Sequence, residues 1–428
     1  MSEFAIKQAT AWEVLDSRGN PTVAARVELQ GGATGEAMVP SGASTGRHEA
    51  VELRDGDPVR YSGKGTRTAA GNVNREIGPA LLGMDARDQA ALDDAMRRLD
   101  STPDKRRLGA NAILGVSCAA ARAASNALGV PLWRYLAGER TPTLPVPMIN
   151  ILSGGLHAGR NIEFQDFLVI PHGFERYSDA LHAAVAIHRA TESILSDRGC
   201  VLTGVADEGG WGPLLESNEA ALDVLTQAIA RAGFEPGRQV SIALDVASSH
   251  FFDEKRYVLR TETRVLDAFG MIDLLATWRQ RYPVISIEDG LAEDDWSGWQ
   301  ALTGRLGSST QLVGDDFFTT NRTRLQRGIR EHAGNAVLVK MNQIGTLTET
   351  FEVIDMARES GFRAVISARS GETEDAFLAD LAVASGMGQI KVGSITRSER
   401  LSKYNRLLQL ERETPLPFPG SALFQGLL

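Results

Sequence analysis

Two cysteines and seven histidines in 428 residues leave little material for a disulfide scaffold, or for a zinc site built on thiolate and imidazole ligands. Cys118 and Cys200 share no CxxC spacing, so free thiols in a reducing compartment are expected. Long apolar runs are missing too, since none approaches the length of about 18 residues that spans a bilayer. The opening MSEFAIKQAT lacks the charged and apolar regions of a signal peptide. These absences predict a cytoplasmic protein with no membrane partner. Runs of basic residues are also absent, and 45 basic against 54 acidic residues give a net charge of −9, which argues against nucleic acid.

What the sequence does have is a recurrent pattern between Val240 and Gly393. Short runs rich in Val and Ile end on polar groups: SIALD on Asp245, VISIE on Glu288, QLVGD on Asp315, AVLVK on Lys340, AVISARS on Arg369 and Ser370, QIK on Lys391. Successive charges lie 43, 27, 25, 29 and 22 residues apart, the spacing of strand–loop–helix units. Parallel strands flanked by helices are buried on both faces, so a terminal charge has room only at the C-terminal rim. Six polar groups then converge on one mouth. A lone Asp or Lys at such a place reads equally as a loop residue or a helix cap, but six in register predict a site. Three carboxylates are hard oxygen ligands suited to Mg²⁺, and two lysines with an Arg-Ser pair suit a small anionic substrate.

Ahead of this region the chain predicts a small α+β domain. TVAARVEL, a Gly31-Gly32 turn and ATGEAMVP form an antiparallel meander within residues 4–39, and a helical stretch runs from about Thr66 to Ala127. Between them SGASTG reads either as a linker or as a loop whose amides and hydroxyls fold over a phosphate or metal. The proline-spaced TPTLPVPMIN marks the junction, giving domains 1–138 and 139–428. Beyond it, His157 lies on a glycine loop before an apolar run containing Asp166. Asp207 and Glu208 precede two glycines and read as a turn or as rim acids. His182 and His188 fall on a helix and read as surface or packing residues.

The stretches EVLDSRGNPTV (13–23), VPSGASTG (39–46), LGANAILGVS (108–117), DEGG (207–210), ALDVASS (243–249), IED (287–289), VGDD (313–316), NQIGTLTET (342–350), SGETED (370–375) and RSER (397–400) resemble the enolase family along nearly the whole chain. The resemblance implies an N-terminal α+β capping domain followed by an enolase-type (βα)₈-like barrel, and removal of water from 2-phosphoglycerate to give phosphoenolpyruvate. It implies two Mg²⁺ ions, the first on Asp245, Glu288 and Asp315, the second arriving with substrate and touching Ser44. It assigns Lys340 as general base, with a pKa lowered by neighbouring cations. Lys391 becomes the partner of the substrate carboxylate, Glu208 the acid assisting the departing hydroxide, and Arg369 with Ser370 the phosphate grip. It also implies a homodimer or an octamer.

The resemblance breaks within the site. Where the family has Ser-His-Arg-Ser this chain has Ser367-Ala368-Arg369-Ser370, so an imidazole beside the substrate is lost. Gln-Glu-Phe becomes Gln165-Asp166-Phe167, drawing a carboxylate back by roughly 1.5 Å, and misplacement by about 1 Å costs on the order of 10²-fold in rate. Ser394-Ile395-Thr396 replaces Ala-Pro-Ala, Gly290 replaces the proline of IEDP, and Ser153 and Leu156 alter the His157 loop. These changes predict a diverged Mg²⁺ lyase acting on a phospho- or phosphono-carboxylate, such as a carboxyphosphonoenolpyruvate synthase. The alternatives are an ordinary phosphopyruvate hydratase in which His157 stands in for the lost imidazole, and a catalytically silent homologue.

Overall fold

The computed structural model describes residues 2–42 and 46–428. Strands β1 (Ile6–Leu15), β2 (Pro21–Leu29) and β3 (Thr34–Met38) form the expected antiparallel meander. The helix Ala110–Leu128 lies across β2 and β3. Its run of alanines gives it a flat face, and Gly35 in β3 lets it come close: a Cβ there would sit 2.2 Å from the Ala119 carbonyl oxygen.

The barrel strands follow as β4 (Val146–Ser153), β5 (Asp166–Ile170) and β6 (Ser241–Asp245). Next come a small antiparallel sheet of β7 (Phe252–Asp253), β8 (Arg256–Leu259) and β9 (Arg264–Leu266). Five further barrel strands complete the set: β10 (Val284–Glu288), β11 (Gln311–Gly314), β12 (Ala336–Val339), β13 (Arg363–Ser367) and β14 (Gln389–Gly393). The eight close in the order β10-β11-β12-β13-β14-β4-β5-β6. The long interval between Asp245 and Glu288 is thereby explained, because it holds the three-stranded sheet as well as the helix Ala268–Arg281.

The barrel departs from eight alternating units at one place. β5 runs antiparallel to both β4 and β6, because only twelve residues separate β4 from β5, enough for a loop and a turn of helix but not for a crossover. The interior is filled from below by Val146, Met148, Leu168, Ile285 and Leu338, onto which the C-terminal tail turns Phe424 and Leu427. Level with Val146, the register partner of Gln389, Gln311 and Gln389 exchange amide hydrogen bonds of 3.0 and 2.9 Å. The floor is therefore closed. Among the described residues no helix is long and apolar enough to cross a membrane, and Cys118 and Cys200 are free thiols.

Candidate active site

Parallel strands carry their terminal residues to one rim, and here that rim is charged. Asp245 ends β6 beside Glu288 at the end of β10, the two paired in register. Asp315 follows β11 and Lys340 follows β12. Arg369 and Ser370 lie just beyond β13. Lys391 is the third residue of β14 rather than a terminal one, so the sequence misplaced it along its strand. Asp245, Lys340, Arg369, Ser370 and Lys391 line a single cleft together with His157, Gln165, Glu208 and Ala368.

The carboxylates and ammonium groups interlock. Lys391 Nζ donates to Asp245 Oδ2 at 2.8 Å and to the two Glu288 oxygens at 2.8 and 2.7 Å. Lys340 Nζ donates to Asp315 Oδ2 at 2.5 Å, whose other oxygen accepts from Gln343 Nε2 at 2.8 Å. Burial and the adjacent Asp245 push the Glu288 carboxyl well above its ordinary range. Burial also raises Asp315, but Lys340 outweighs it and holds that carboxyl low. The same opposition acts on Lys340 among the protein's own groups. Burial, Arg369 and Lys391 all push its ammonium down, yet Asp315 at 2.5 Å prevails and the pKa is raised rather than lowered.

Buried oxygen donors that draw two ammonium groups among them have the chemistry to hold a hard divalent cation. Of the three expected ligands, Asp245 and Glu288 meet through Lys391 while Asp315 faces Lys340, and the ligand atoms that lie within 4.8 Å of one another are instead those of His157, Asp166 and Glu208 in one group. A second acidic group, Asp289, Asp315 and Asp316, brings its oxygens within 4.8 Å of one another. There the Asp289 oxygens accept the backbone N–H groups of Asp315 and Asp316 at 2.9 and 2.8 Å. Asp289 thus braces the loop that presents Asp315. Burial and Asp315 push Asp316 up to about 8. Ser44 lies outside the described residues.

The opposite wall is built from β4, β5 and their connecting loop. Asp166 is fully buried and accepts from Asn150 Nδ2 (2.5 Å), Ser153 Oγ (2.9 Å) and His157 Nδ1 (2.8 Å). His157 Nε2 stands 3.9 Å from Glu208 Oε1. Burial opposes a charged imidazole, but Asp166 and then Glu208 override it and raise His157 to about 9. Glu208 is pushed up by burial and pulled further down by His157, Arg400 and the two lysines, so its net shift is downward. Its loop needs Gly209 at φ +92°, and Thr396 Oγ1 donates to the Gly209 carbonyl at 2.7 Å. The Ser-Ile-Thr replacement therefore ties β14 to the Glu208 loop. Asp207 is only partly buried at the turn. His182 is exposed and His188 packs on Trp211, as expected of helix residues.

On the third side, Arg369 forms a buried pair with Glu49 at 2.9 Å and donates to Asn342 Oδ1 at 2.9 Å. Burial disfavours its charge, but Glu49 and Glu52 more than compensate and raise its pKa. Two residues escaped the reading of the sequence. Arg400 is fully buried and donates to the carbonyls of Arg369 (2.5 Å), Val392 (2.8 Å) and Ser370 (2.6 Å), fixing the loop that carries the cationic grip. Lys403, also fully buried, holds the Thr373 carbonyl and Glu372. Their signal was present, since both fall on the core-facing side of a helix, where unpaired charge is costly.

Comparison with protein families agrees with this geometry. Residues 6–136 match the family described as "Enolase, N-terminal domain", and residues 141–421 match "Enolase, C-terminal TIM barrel domain".

Proposed function

This chain belongs to the enolase family, and from that premise we propose that it is a Mg²⁺-dependent lyase acting on a small phospho- or phosphono-carboxylate. It removes the proton alpha to the carboxylate and expels a β-hydroxyl, leaving an enolpyruvate. The observation that carries this reading is the buried network in which Lys391 pairs with Asp245 and Glu288 and Lys340 with Asp315, both lysines and Asp245 lining one cleft.

Asp245, Glu288 and Asp315 would hold the metal, and the family resemblance assigns Ser44 to a second ion that arrives with substrate. When bound, the metal supplies positive charge that stabilises the doubly ionised carboxylate formed by deprotonation. Lys340 takes the proton from carbon, which requires that its bond to Asp315 be given up. Lys391 orients the substrate carboxylate. Arg369, with Ser370 beside it, grips the phosphate, and its planar guanidinium can engage two oxygens at once. The hydroxyl departs on the side of His157, Asp166 and Glu208, where the family resemblance makes Glu208 the acid.

The finer reading is a diverged member rather than a housekeeping enolase. Ala368 lies on the cleft wall where the family has an imidazole, so it removes a hydrogen-bonding group and opens space beside the phosphorus end of the ligand. A substrate with an added carboxyl group on phosphorus, as for a carboxyphosphonoenolpyruvate synthase, would use that space. Hydrogen–deuterium exchange at C2 of 2-phosphoglycerate in D₂O with Mg²⁺ tests the reaction class: exchange is expected, and its absence together with absent Mg²⁺ binding in the presence of phosphoenolpyruvate would sink it. Full turnover to phosphoenolpyruvate at the usual enzymic tens per second would instead identify an ordinary phosphopyruvate hydratase.

A further inference from the structure

We propose that the proton taken up by the departing hydroxyl comes from His157 Nε2, with Asp166 orienting the ring and Ser153 positioning Asp166. This rests on the reaction proposed above and reassigns one step within it, from Glu208 to His157.

The assignment begins in the strand register. Ser153 and Asp166 face each other across the antiparallel pair β4–β5, and Asn150 lies three residues earlier on β4, across a shift in register. Ser153 Oγ and Asn150 Nδ2 both donate to Asp166 Oδ1, at 2.9 and 2.5 Å. That leaves Oδ2 for His157 Nδ1 at 2.8 Å. A longer carboxylate at 166 would pass these donors by roughly 1.5 Å. The small residue at 153 and the shortened acid at 166 therefore make one arrangement.

With Nδ1 engaged, the other ring nitrogen faces the cleft. Among the described residues Nε2 makes no hydrogen bond, and Glu208 Oε1, at 3.9 Å, is its nearest charged partner. An oxygen atom lodged beside that gap can accept from Nε2 and donate to Glu208 at ordinary hydrogen-bond lengths. The charged groups around the ring are Asp166, Glu208 and Asp245, with His250 the neighbouring imidazole. Burial opposes the charged ring, but Asp166, Glu208 and Asp245 together outweigh it, and His157, Arg400 and the two lysines outweigh burial at Glu208 and hold its carboxyl low.

The step balances. Cleavage of the C–O bond leaves its electron pair on oxygen, and the Nε2–H proton moves to that oxygen to release water. The pair freed at carbon by Lys340 becomes the new double bond, and His157 is left neutral until solvent returns a proton.

His157→Asn and Glu208→Gln should be compared on 2-phosphoglycerate and on its 3-chloro analogue, whose chloride leaves without a proton. In His157→Asn, C2 exchange in D₂O is expected to persist, showing an intact fold, while dehydration falls by about 10²- to 10⁴-fold. Elimination of chloride should fall far less. Ser153→Ala should lower the His157 titration midpoint read by NMR and lower kcat more than it raises KM. Dehydration unchanged in His157→Asn, or chloride and water lost equally, would overturn the assignment while leaving the reaction class standing. Exchange without dehydration in the unaltered protein would also overturn it, and absence of exchange there would remove the reaction class along with it.

Discussion

The two walls of the cleft are built differently. One wall stands on parallel strands and consists of lysines and carboxylates in mutual contact, with Lys391 held by two acids and Lys340 by one. Each of its residues also matches the enolase pattern. The other wall stands on the antiparallel pair β4–β5 and the loop between them, and it carries Asp166, Ser153 and Leu156, all departures from that pattern. A network of opposite charges resists change because removing one member leaves a buried ion without a partner. A hydrogen-bonded wall tolerates a paired change, as when a shorter acid meets a smaller neighbour. On the proposed reaction the first wall would serve deprotonation and the second the leaving group, so the second is where specificity would have room to move.

Breaking the first wall should have the largest effect. Lys340→Met is expected to reduce C2 exchange by about 10²- to 10⁴-fold, measured by the loss of the C2 proton signal in D₂O. Lys391→Met leaves Asp245 and Glu288 buried without their cation and should cost about 3–5 kcal/mol in urea unfolding. Added Mg²⁺ should restore about 2.7 kcal/mol of this at a hundredfold excess over its dissociation constant. No recovery would mean that these carboxylates do not share an ion.

The second wall should respond to pH. His157 is raised to about 9 from an ordinary value near 6.5, so its contribution to stability is complete below about pH 6.5 and is lost as pH climbs through 9. The loss is on the order of 3 kcal/mol, and Asp166→Asn should flatten that part of the stability profile in urea titrations. The smallest effect is expected at the seam between the walls. Ala368→His should raise 2-phosphoglycerate turnover by roughly two- to tenfold, the value of one added hydrogen bond. A fall in turnover would argue that position 368 is filled by ligand.

The first wall was largely legible in the sequence, and the second was not. Val- and Ile-rich runs ending in Asp245, Glu288, Asp315 and Lys340 announce strands and rim together, because strand period and burial leave the charge one place to go. The reversed direction of β5 depends on the short link from β4, which an apolar run containing Asp166 does not reveal. The bond between Ser153 and Asp166 is a matter of cross-strand register, and register is set only when the sheet closes. The pKa of Lys340 could not be signed from its cationic neighbours alone, since Asp315 comes within 2.5 Å of it through the folded rim. Arg400 and Lys403 take their roles only from the packing of helix Ser398–Glu413 against the barrel, which brings them to the carbonyls of Arg369, Ser370 and Thr373.

The sealed barrel floor has a consequence for traffic. Phe424, Leu427 and the Gln311–Gln389 pair fill the barrel interior at the end away from the charged rim, so no passage runs to the cleft through that packing. On the proposed reaction, substrate and product would then share the rim as their way in and out, so a lingering product would block the next arrival. Inhibition by product should accordingly be competitive with substrate.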